Sequence, residues 1–302
     1  MLEILIRAGC FVAIIILGYT LRKVGFFGED AFGVLAKVTI KITLPASIVY
    51  SFSGKEIEPS MLVIALLGLG CGAVYMAVAW VLNRRAGRER QAFEMLNVSG
   101  YNIGNFTLPF VQSFLGPMGV ITTSLFDTGN ACICLGGSYS VASIVKDNNG
   151  FSVKRILKAL VKSVPFDCYV IMITLNLLHL SLPSPVISFA EIIANANAFV
   201  ALFMIGIGFK LSGDRRQIGS IMRILAVRYG LAILFALGFY YLLPFSLEVR
   251  KTLMILVFAP IASAAPAFTE ELKGDTGLAS AVNSMSIVIS IVCIVFILLI
   301  TS

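Results

Sequence analysis

Long apolar runs recur along this chain and restrict its fold more than any other feature. A helix that spans a bilayer needs roughly 20 mainly apolar residues, and such runs follow one another here with only short polar connections. Of the 302 residues, 58% are hydrophobic and 13% are charged, against about 45–50% and about 25% in soluble domains. The sequence therefore predicts an all-α polytopic membrane protein. The ten predicted spans are 3–21, 31–52, 61–82, 91–113, 118–143, 160–180, 186–210, 218–243, 249–271 and 277–300.

The connections between these spans are too short to hold a second domain. The longest of them, roughly 144–159, is too short for a soluble domain, so residues 1–302 are interpreted as one transmembrane domain. No basic region or small-residue cleavage site marks the first span as a cleavable signal peptide. The six cysteines all lie inside apolar runs without a C-x-x-C pair. They are interpreted as small buried hydrophobic residues, and no metal site is expected.

Basic residues are unevenly divided between the two sides of the predicted membrane. The connections after spans 1, 3, 5, 7 and 9 carry about 16 lysines and arginines, whereas the opposite side carries about four. Because basic connections stay in the cytoplasm, we expect a multi-pass protein of the plasma membrane with both termini outside. The net charge of +7 follows from this asymmetry. The bilayer is therefore the expected partner of the basic residues, and nucleic acid is not.

The two halves of the chain share a pattern of prolines and glycines. Pro109 in span 4 is followed seven residues later by Gly116, and Pro266 in span 9 is followed eight residues later by Gly274. The two spans are five apart, so they cross the membrane in opposite directions. The spacing predicts a 5+5 inverted repeat of about 1–143 and 156–302, which is typical of transporters with a midplane site.

Spans 4 and 9 contain residues that disfavour a continuous helix. Span 4 includes GYNIGNFTLPF (100–110), and span 9 includes FAPIASAAPAF (258–268). Proline removes a backbone N–H and clashes with the carbonyl four residues earlier, and glycine weakens a helix by roughly 1 kcal/mol relative to alanine. Irregular backbone at membrane depth must face protein or a water-filled cavity. We expect both spans to break at Pro109 and Pro266 and to cross; the alternative is that the prolines only kink packed helices.

Ionisable residues at membrane depth are candidate site residues, because a charge at the bilayer centre costs about 2.5 kcal/mol or more. At 1.5 Å per residue, Asp127 lies roughly 15 Å into span 5 and Lys41 about 16 Å into span 2. Asp127 either serves a transport site or makes a structural hydrogen bond. Lys41 either faces the site or extends to the membrane interface. Arg228 and Asp167 are expected near cytoplasmic helix ends, from which an arginine can reach the interface.

These features together resemble one family. NIGNFTLPF in span 4, Leu44-Pro45 in span 2 and the proline break in span 9 look like the auxin efflux carrier family, which includes plant PIN proteins and bacterial carriers. The resemblance covers the whole chain and implies a fold related to the bile acid:sodium symporters. A scaffold of spans 1, 2, 6 and 7 would then face a transport unit of spans 3–5 and 8–10. The resemblance also implies small organic carboxylates as substrates, elevator-like alternating access and homodimers.

The candidate site follows from the broken spans, the polar residues at membrane depth and the resemblance. The family's functional positions carry over to Asn102, Asn105, Pro109 and Pro266. The candidate substrate-binding residues are Asn102, Asn105, Thr107, Pro109, Asn130, Ser263, Pro266, Asn283 and Lys41. The candidate sites for a coupling ion or proton are Asp127, Glu270 and Glu271.

The leading hypothesis is a secondary active transporter that binds a small organic anion, such as a mono- or dicarboxylate, where spans 4 and 9 cross. An uncoupled channel or facilitator for small organic solutes is the second hypothesis. An enzyme is not expected, because the one histidine, His179, lies at a helix end and no second aspartate accompanies Asp127 at the midplane. A phosphate-binding P-loop is also lacking. No cofactor is expected, and the coupling ion is either H⁺ or Na⁺.

Overall fold

The computed structural model describes residues 2–28, 30–147, 150–209 and 217–301. Residue 210, the last of the predicted seventh span, lies outside these ranges. Within them the chain is helical, apart from turns, connections and one isolated antiparallel bridge between Tyr101 and Ile261. The helices are α1 (Leu2–Lys23), α2 (Ala31–Val38), α3 (Leu44–Phe52), α4 (Val63–Asn83), α5 (Arg88–Ser99), α6 (Leu108–Phe114), α7 (Gly116–Cys132), α8 (Ser138–Asp147), α9 (Val153–Leu160), α10 (Val164–Leu177), α11 (Ser184–Gly208), α12 (Ile218–Leu242), α13 (Leu247–Val257), α14 (Ala265–Glu271) and α15 (Thr276–Thr301).

Seven helical stretches among the described residues are long and apolar enough to cross a membrane. They are Leu2–Lys23, Ala31–Phe52, Pro59–Asn83, Gly116–Asp147, Ser184–Gly208, Ile218–Leu242 and Thr276–Thr301. The predicted spans 6, 4 and 9 are different: the first corresponds to the 14-residue apolar helix α10, and the other two are interrupted. The chain is therefore an all-α polytopic membrane protein.

The interruption of span 4 lies before Pro109, and that of span 9 contains Pro260 and lies before Pro266. The first helix of span 4 ends at Ser99, and residues 100–102 are not helical. The chain then continues through a π-helical segment, Ile103–Thr107, directly into α6, so it is helical through Pro109. In span 9 the gap separates Val257 from α14, and Pro266 lies in the first turn of α14. The expected break at the prolines is wrong in position. Pro266 lies in the first turn of α14, where a backbone N–H would have no helical partner, so its missing N–H costs nothing there. Pro109 instead follows the π-helical segment without a break.

Two other π-helical segments lie inside predicted spans. Thr39–Thr43 joins α2 to α3, and Ile133–Gly137 joins α7 to α8. In the second of these, Gly136 has a φ of 148°, which a residue with a side chain rarely adopts. A π-helical turn accommodates one extra residue and rotates the side chains that follow it. The helical faces of spans 2 and 5 are therefore not continuous.

The connection between spans 5 and 6 contains a short helix that no predicted span includes. Residues Val153–Leu160 form the short helix α9. Ser152 caps its start, since the Ser152 hydroxyl accepts a hydrogen bond from the Arg155 backbone N–H at 3.2 Å. The sixth span then begins at Val164 instead of 160. Repeated lysines and arginines concealed the apolar residues of α9 from a search for long apolar runs.

Glycines let two pairs of helices approach closely. A Cβ atom on Gly68 of α4 would lie 2.0 Å from the carbonyl oxygen of Phe126 in α7, and one on Gly129 of α7 would lie 1.8 Å from that of Ala65. Gly18 of α1 and Gly206 of α11 meet in the same way. Small residues at helix crossings are a common means of helix association in membranes. They place α4 against α7 and α1 against α11.

Candidate functional site

The two interrupted segments meet and pair through their backbones. The Asn102 N–H donates to the Pro260 carbonyl at 2.8 Å, and the Ala262 N–H donates to the Gly100 carbonyl at 3.1 Å. A Cβ atom on Gly100 would lie 2.8 Å from the Cβ of Ala262, so the approach requires glycine. Each segment thus supplies hydrogen-bond partners for the other, as irregular backbone at membrane depth requires.

Amide side chains from the helices that follow each break complete this pairing. The Asn130 side chain accepts from the Tyr101 N–H at 3.1 Å and donates to the Tyr101 carbonyl at 3.0 Å. On the other side, the Asn283 amide donates to the Ile261 carbonyl at 3.1 Å, and the Ile261 N–H donates to the Ser286 hydroxyl at 3.1 Å. Asn130 and Asn283 therefore hold the two irregular segments in shape.

Arg228 binds the ends of the helices that stop at the crossing. It is fully buried near the middle of the 25-residue α12. Its guanidinium donates to the carbonyls of Val98, Ala259 and Pro260, at 2.8 Å and 3.2 Å for the last two. The guanidinium carbon also lies 4.7 Å from the centre of the Tyr101 ring. The expectation that Arg228 extends to the membrane interface is wrong, because unpaired helix-end carbonyls in the interior attract the cation.

One cavity of about 270 Å³ lies on the α7 side of the crossing. It is lined by Asp127, Asn130, Tyr169 and the start of α10, together with Asn102, Asn105 and Ser263. Asp127 accepts a hydrogen bond from the Tyr169 hydroxyl at 2.9 Å and one from the Asn130 amide at 2.8 Å. The salt bridges found among the described residues do not include Asp127. This carboxyl group therefore lies in a cavity without a cationic side chain as partner.

A second cavity, of about 360 Å³, lies on the α15 side of the same crossing. Its polar residues on α15 are Asn283, Ser284 and Ser280, and its apolar wall comes from α2, α11 and α15. Pro266 also lines it. The residues that line it carry no formal charge. This cavity offers neutral hydrogen-bonding groups beside an apolar surface.

Asn102, Asn105 and Ser263 line both cavities, so the crossing forms the wall between them. The Oδ1 atom of Asn105 is buried and has no hydrogen-bond partner within the described part of the chain. Buried polar atoms are nearly always paired. A half-turn of the amide would present its NH₂ group instead. Asn105 therefore has an unused hydrogen-bonding group next to both cavities.

The structure does not bring the remaining candidates to these cavities. Thr107 and Pro109 are buried behind the crossing, where the Thr107 hydroxyl donates to the Asn102 carbonyl at 3.3 Å. Lys41 is exposed on the outer surface of its helix, whereas its neighbour Ile40 lines both cavities. Since Lys41 lies in the π-helical segment, helical periodicity from the start of span 2 could not predict its direction.

Glu270 and Glu271 lie at the end of α14, away from both cavities, and both are exposed. Glu271 accepts a hydrogen bond from Arg155 of α9 at 2.7 Å. This interaction raises the pKa of the Arg155 guanidinium, whose charge also lies 3.8 Å from the centre of the Tyr139 ring. Glu271 therefore connects α14 to α9, a helix that the sequence reading did not include.

Sequence reasoning missed Tyr169 and misplaced Arg228. A count of residues along α12 could have placed Arg228 at membrane depth, where an ionisable residue is a candidate site residue. No sequence signal singled out Tyr169, because a tyrosine in an apolar run is common and its partner Asp127 lies 42 positions away.

The fold and this site define a class of protein. A polytopic helical membrane protein with two discontinuous helices that meet at a polar cavity is typical of secondary transporters. Residues 10–146 match the membrane transport protein family. The chain is also 22% identical over 289 residues to an uncharacterized transporter of Methanothermobacter thermautotrophicus, with 93% of each chain covered. The family match and this relative point to a membrane transporter, which is generally not an enzyme, and they agree with the resemblance to the auxin efflux carrier family.

Proposed function

We propose that this transporter is a secondary active carrier of a small organic anion, such as a mono- or dicarboxylate. The substrate would bind beside Asn102, Asn105 and Ser263, which separate the two cavities. Pro266, Ser284 and the amides of Asn130 and Asn283 would support this site more than bind substrate, since both amides already hold backbone groups. The observation that carries the proposal is that Arg228 binds the carbonyl ends of the helices at the crossing, whereas a helix amino end lies free beside the first cavity.

Helix ends at the crossing differ in the charge that they attract. The carbonyl ends, at Val98 and at Ala259 and Pro260, are already bound by Arg228. The amino end of the segment that begins at Ile103 lies beside the first cavity. Free N–H groups at a helix amino end favour a negative group. The carboxylate of a substrate would therefore bind here.

The position of Asp127 suggests why transport at this site would be coupled to a cation. A Cβ atom on Gly104 would lie 3.7 Å from Asp127 Oδ2, so the aspartate is close to the proposed anion site. A substrate carboxylate bound beside Asp127 would be repelled unless a proton or a cation accompanies it. We propose that H⁺ or Na⁺ binds at Asp127 together with the substrate.

The same proposal includes the topology and the motion. The interrupted spans and α10 would complete ten membrane crossings in two inverted repeats, about 1–143 and 156–302. The basic connections favour both termini outside a plasma membrane. The packing of α11 on α1 and α3 supports a scaffold, and that of α4 on α5 and α7 supports a transport unit that moves against it as an elevator. A homodimer is the assembly that the family resemblance implies.

The test is binding and transport by the purified full-length protein. Thermal unfolding is measured with a panel of mono- and dicarboxylates, with and without Na⁺. A ligand at 100 times its Kd should stabilise the protein by about 2.7 kcal/mol. Uptake of the best ligand into proteoliposomes should then saturate and show counterflow. Flux that neither saturates nor shows counterflow would support a channel instead.

Two alanine variants locate the site within that experiment. Asn105→Ala should weaken binding by about 10-fold or more, since a hydrogen bond to a charged group contributes about 1.5–3 kcal/mol. Asn195→Ala is the matched control, because Asn195 is exposed on α11 and lines neither cavity. Equal ligand affinities for the two variants would show that Asn105 does not contact the substrate.

A further inference from the structure

Helix α9 and the two residues that follow it carry two parallel exposed rows of side chains. Val153, Leu157 and Val161 follow one another at intervals of four residues and are 55%, 56% and 72% exposed. Lys154, Lys158 and Lys162 form the adjacent row at the same spacing, and all three are exposed. Residues four apart share one face of a helix. An apolar row thus lies directly beside a basic row, and we call these the apolar row and the lysine row.

The opposite face of α9 is held firmly against the protein. Leu160 is buried, and a Cβ atom on Gly136 would lie 3.5 Å from Ile156. Arg155 is paired with Glu271 at 2.7 Å and lies 3.8 Å from the centre of the Tyr139 ring. The two exposed rows are therefore directed outward by specific contacts, and neither can turn inward without breaking them.

The lysine row is basic without local compensation. The salt bridges found in the described part of the chain involve none of its three lysines. Glu271, the acidic residue that α9 contacts, is taken by Arg155. Asp147 at the end of α8 and Asp167 in the first turn of α10 are the acidic residues on the neighbouring elements in sequence. Three lysines thus face outward together.

The position of α9 in the chain places these rows at a membrane surface. Only three residues, Val161 to Ser163, separate α9 from the apolar helix α10. A helix with an apolar face and a basic face lies in the plane of the interface, with its apolar side chains among the acyl chains and its lysines among the headgroups. A water-exposed surface would leave the apolar row without a partner.

We propose that α9 is an interfacial anchor whose lysine row binds the headgroups of anionic phospholipids while the apolar row enters the acyl region. Basic residues near an anionic membrane surface contribute about 1 kcal/mol each. Because α9 contacts α14 through Arg155 and Glu271, headgroup binding would also steady a helix next to the crossing. This inference does not depend on the identity of the transported substrate.

Lipid binding is measured on the lipid-depleted, full-length protein in a neutral detergent. Its thermal unfolding midpoint is titrated with dioctanoyl phosphatidylglycerol and, separately, with dioctanoyl phosphatidylcholine. The anionic lipid should raise the midpoint at lower concentration than the zwitterionic one, and added salt should reduce the difference. In K154Q/K158Q/K162Q, half-maximal stabilisation by the anionic lipid should need about 100-fold more lipid at low salt, which converts about 1 kcal/mol for each of three lysines.

Two further variants separate the lysine row from net charge. K154R/K158R/K162R keeps the charges and should bind like the wild type. K23Q/R84Q/R85Q removes the same number of exposed charges from the end of α1 and the connection after α4, and it should also bind like the wild type. The proposal is overturned if the two lipids act alike on the wild type, or if both glutamine variants lose the same affinity.

Insertion of the apolar row has its own test. Trp80 is the single tryptophan, so W80F/L157W reports on α9 alone in the full-length protein. In vesicles of phosphatidylcholine and phosphatidylglycerol, lipids brominated on their acyl chains should quench its fluorescence. A tryptophan at 157 that is quenched by a water-soluble agent but not by brominated lipids would contradict the anchor, whatever the stability of the lysine variants.

Discussion

Arg228 shows how one side chain can replace water inside the membrane domain. Three carbonyls from two separate helix ends share its guanidinium, and the Tyr75 and Tyr101 rings lie 5.2 Å and 4.7 Å from the guanidinium carbon. Hydrogen bonds with a charged partner are about twice as strong as neutral ones. The guanidinium therefore stabilises the carbonyl ends of the helices at both interruptions. The helix amino ends at the crossing remain available to a negative group.

Replacement of Arg228 by an apolar side chain of similar size should destabilise the protein strongly. In Arg228→Met, the carbonyls of Val98, Ala259 and Pro260 lose their donor, and a buried group left unpaired costs about 1–3 kcal/mol. The measurement is the free energy of unfolding in mixed micelles. Arg84→Met, at an exposed arginine, should stay within about 0.5 kcal/mol of the wild type. Equal losses for the two variants would mean that the contacts of Arg228 contribute nothing.

Asp127 is the residue at which the coupling proposal can fail. Asp127→Asn keeps the shape of the side chain and removes its charge, so it mimics a permanently protonated carboxyl. If a proton binds there, uphill uptake driven by a pH gradient should vanish while substrate binding persists. If Na⁺ binds there, the variant should lose stimulation by Na⁺ instead.

The assay is uptake into proteoliposomes with imposed H⁺ or Na⁺ gradients. Asp167→Asn serves as the control, because Asp167 lies on the neighbouring α10 and lines neither cavity. Full gradient-driven accumulation by Asp127→Asn would leave Asp127 with only its hydrogen bonds to Tyr169 and Asn130.

The position of a residue in the structure was predictable where the local sequence determined it. Asn102 and Asn105 stand in a segment whose glycines already disfavour a helix, so a position at an irregular crossing followed from the sequence. The direction of the Lys41 side chain depends on a π-helical turn, and the position of Glu271 depends on its partner Arg155 in α9. Neither can be inferred from depth along a span. Depth predicts how far a side chain lies from the surface, but not the face on which it projects.

At the scale of elements, the interruptions were predictable and their positions were not. Glycine and proline indicate that a helix is interrupted, but the exact gap depends on which backbone groups find partners. Here the gap in span 4 falls at residues 100–102, where Tyr101 pairs with Asn130 and Ile261. Those partners come from distant parts of the chain. The local sequence could therefore predict that the break lies near Pro109, but not that the break comes before it.

Gly100 offers a direct test of how tightly the two elements meet. Its φ of −88° suits any residue, so Gly100→Ala changes only the available space. The new methyl group would lie 2.8 Å from the Cβ of Ala262 and 2.9 Å from Cys134 Sγ. Overpacking of this kind costs about 1–3 kcal/mol. Thermal unfolding should show the loss, and substrate binding should fall with it.

Gly70→Ala is the matched control for that variant. A Cβ atom at Gly70, within α4, meets nothing within 4 Å. Alanine is the better helix former by roughly 1 kcal/mol, so this variant should be as stable as the wild type or slightly more so. If Gly100→Ala behaved in the same way, the two interrupted segments would not be in close contact in solution.

In the molecule as a whole, the crossing is covered on one side by a buried polar network. The Thr43 hydroxyl donates to Asn197 Oδ1 at 2.9 Å, and Ser47 donates to Gln112 Oε1 at 3.2 Å. The Gln112 amide donates to the Ala194 carbonyl at 3.1 Å. These bonds join α6 to α3 and α11 beyond the crossing. The first cavity, by contrast, is lined by the start of α10, which follows α9 in the chain, and the second is lined by α2 and the end of α11.

This asymmetry predicts that the substrate site is reached from one side at a time. In a variant without the six native cysteines, Ser263→Cys should react with a membrane-impermeant maleimide from the side of α9 only. Ser60→Cys, in an exposed turn at the opposite end, should react only from the other side. Transported substrate should make position 263 reactive from the second side as well. Reaction from both sides without substrate would indicate an open pore.

The pairing of Tyr101 with Ile261 also governs how the protein is made. About 160 residues separate these partners, and a ribosome adds ~5–20 residues per second. On the order of ten seconds therefore pass in which the irregular backbone around Gly100 is in the membrane without Arg228 or the residues that pair with it. The backbone groups of the first interruption stay unpaired until the second interruption has been synthesised. During biogenesis they must therefore find other hydrogen-bond partners.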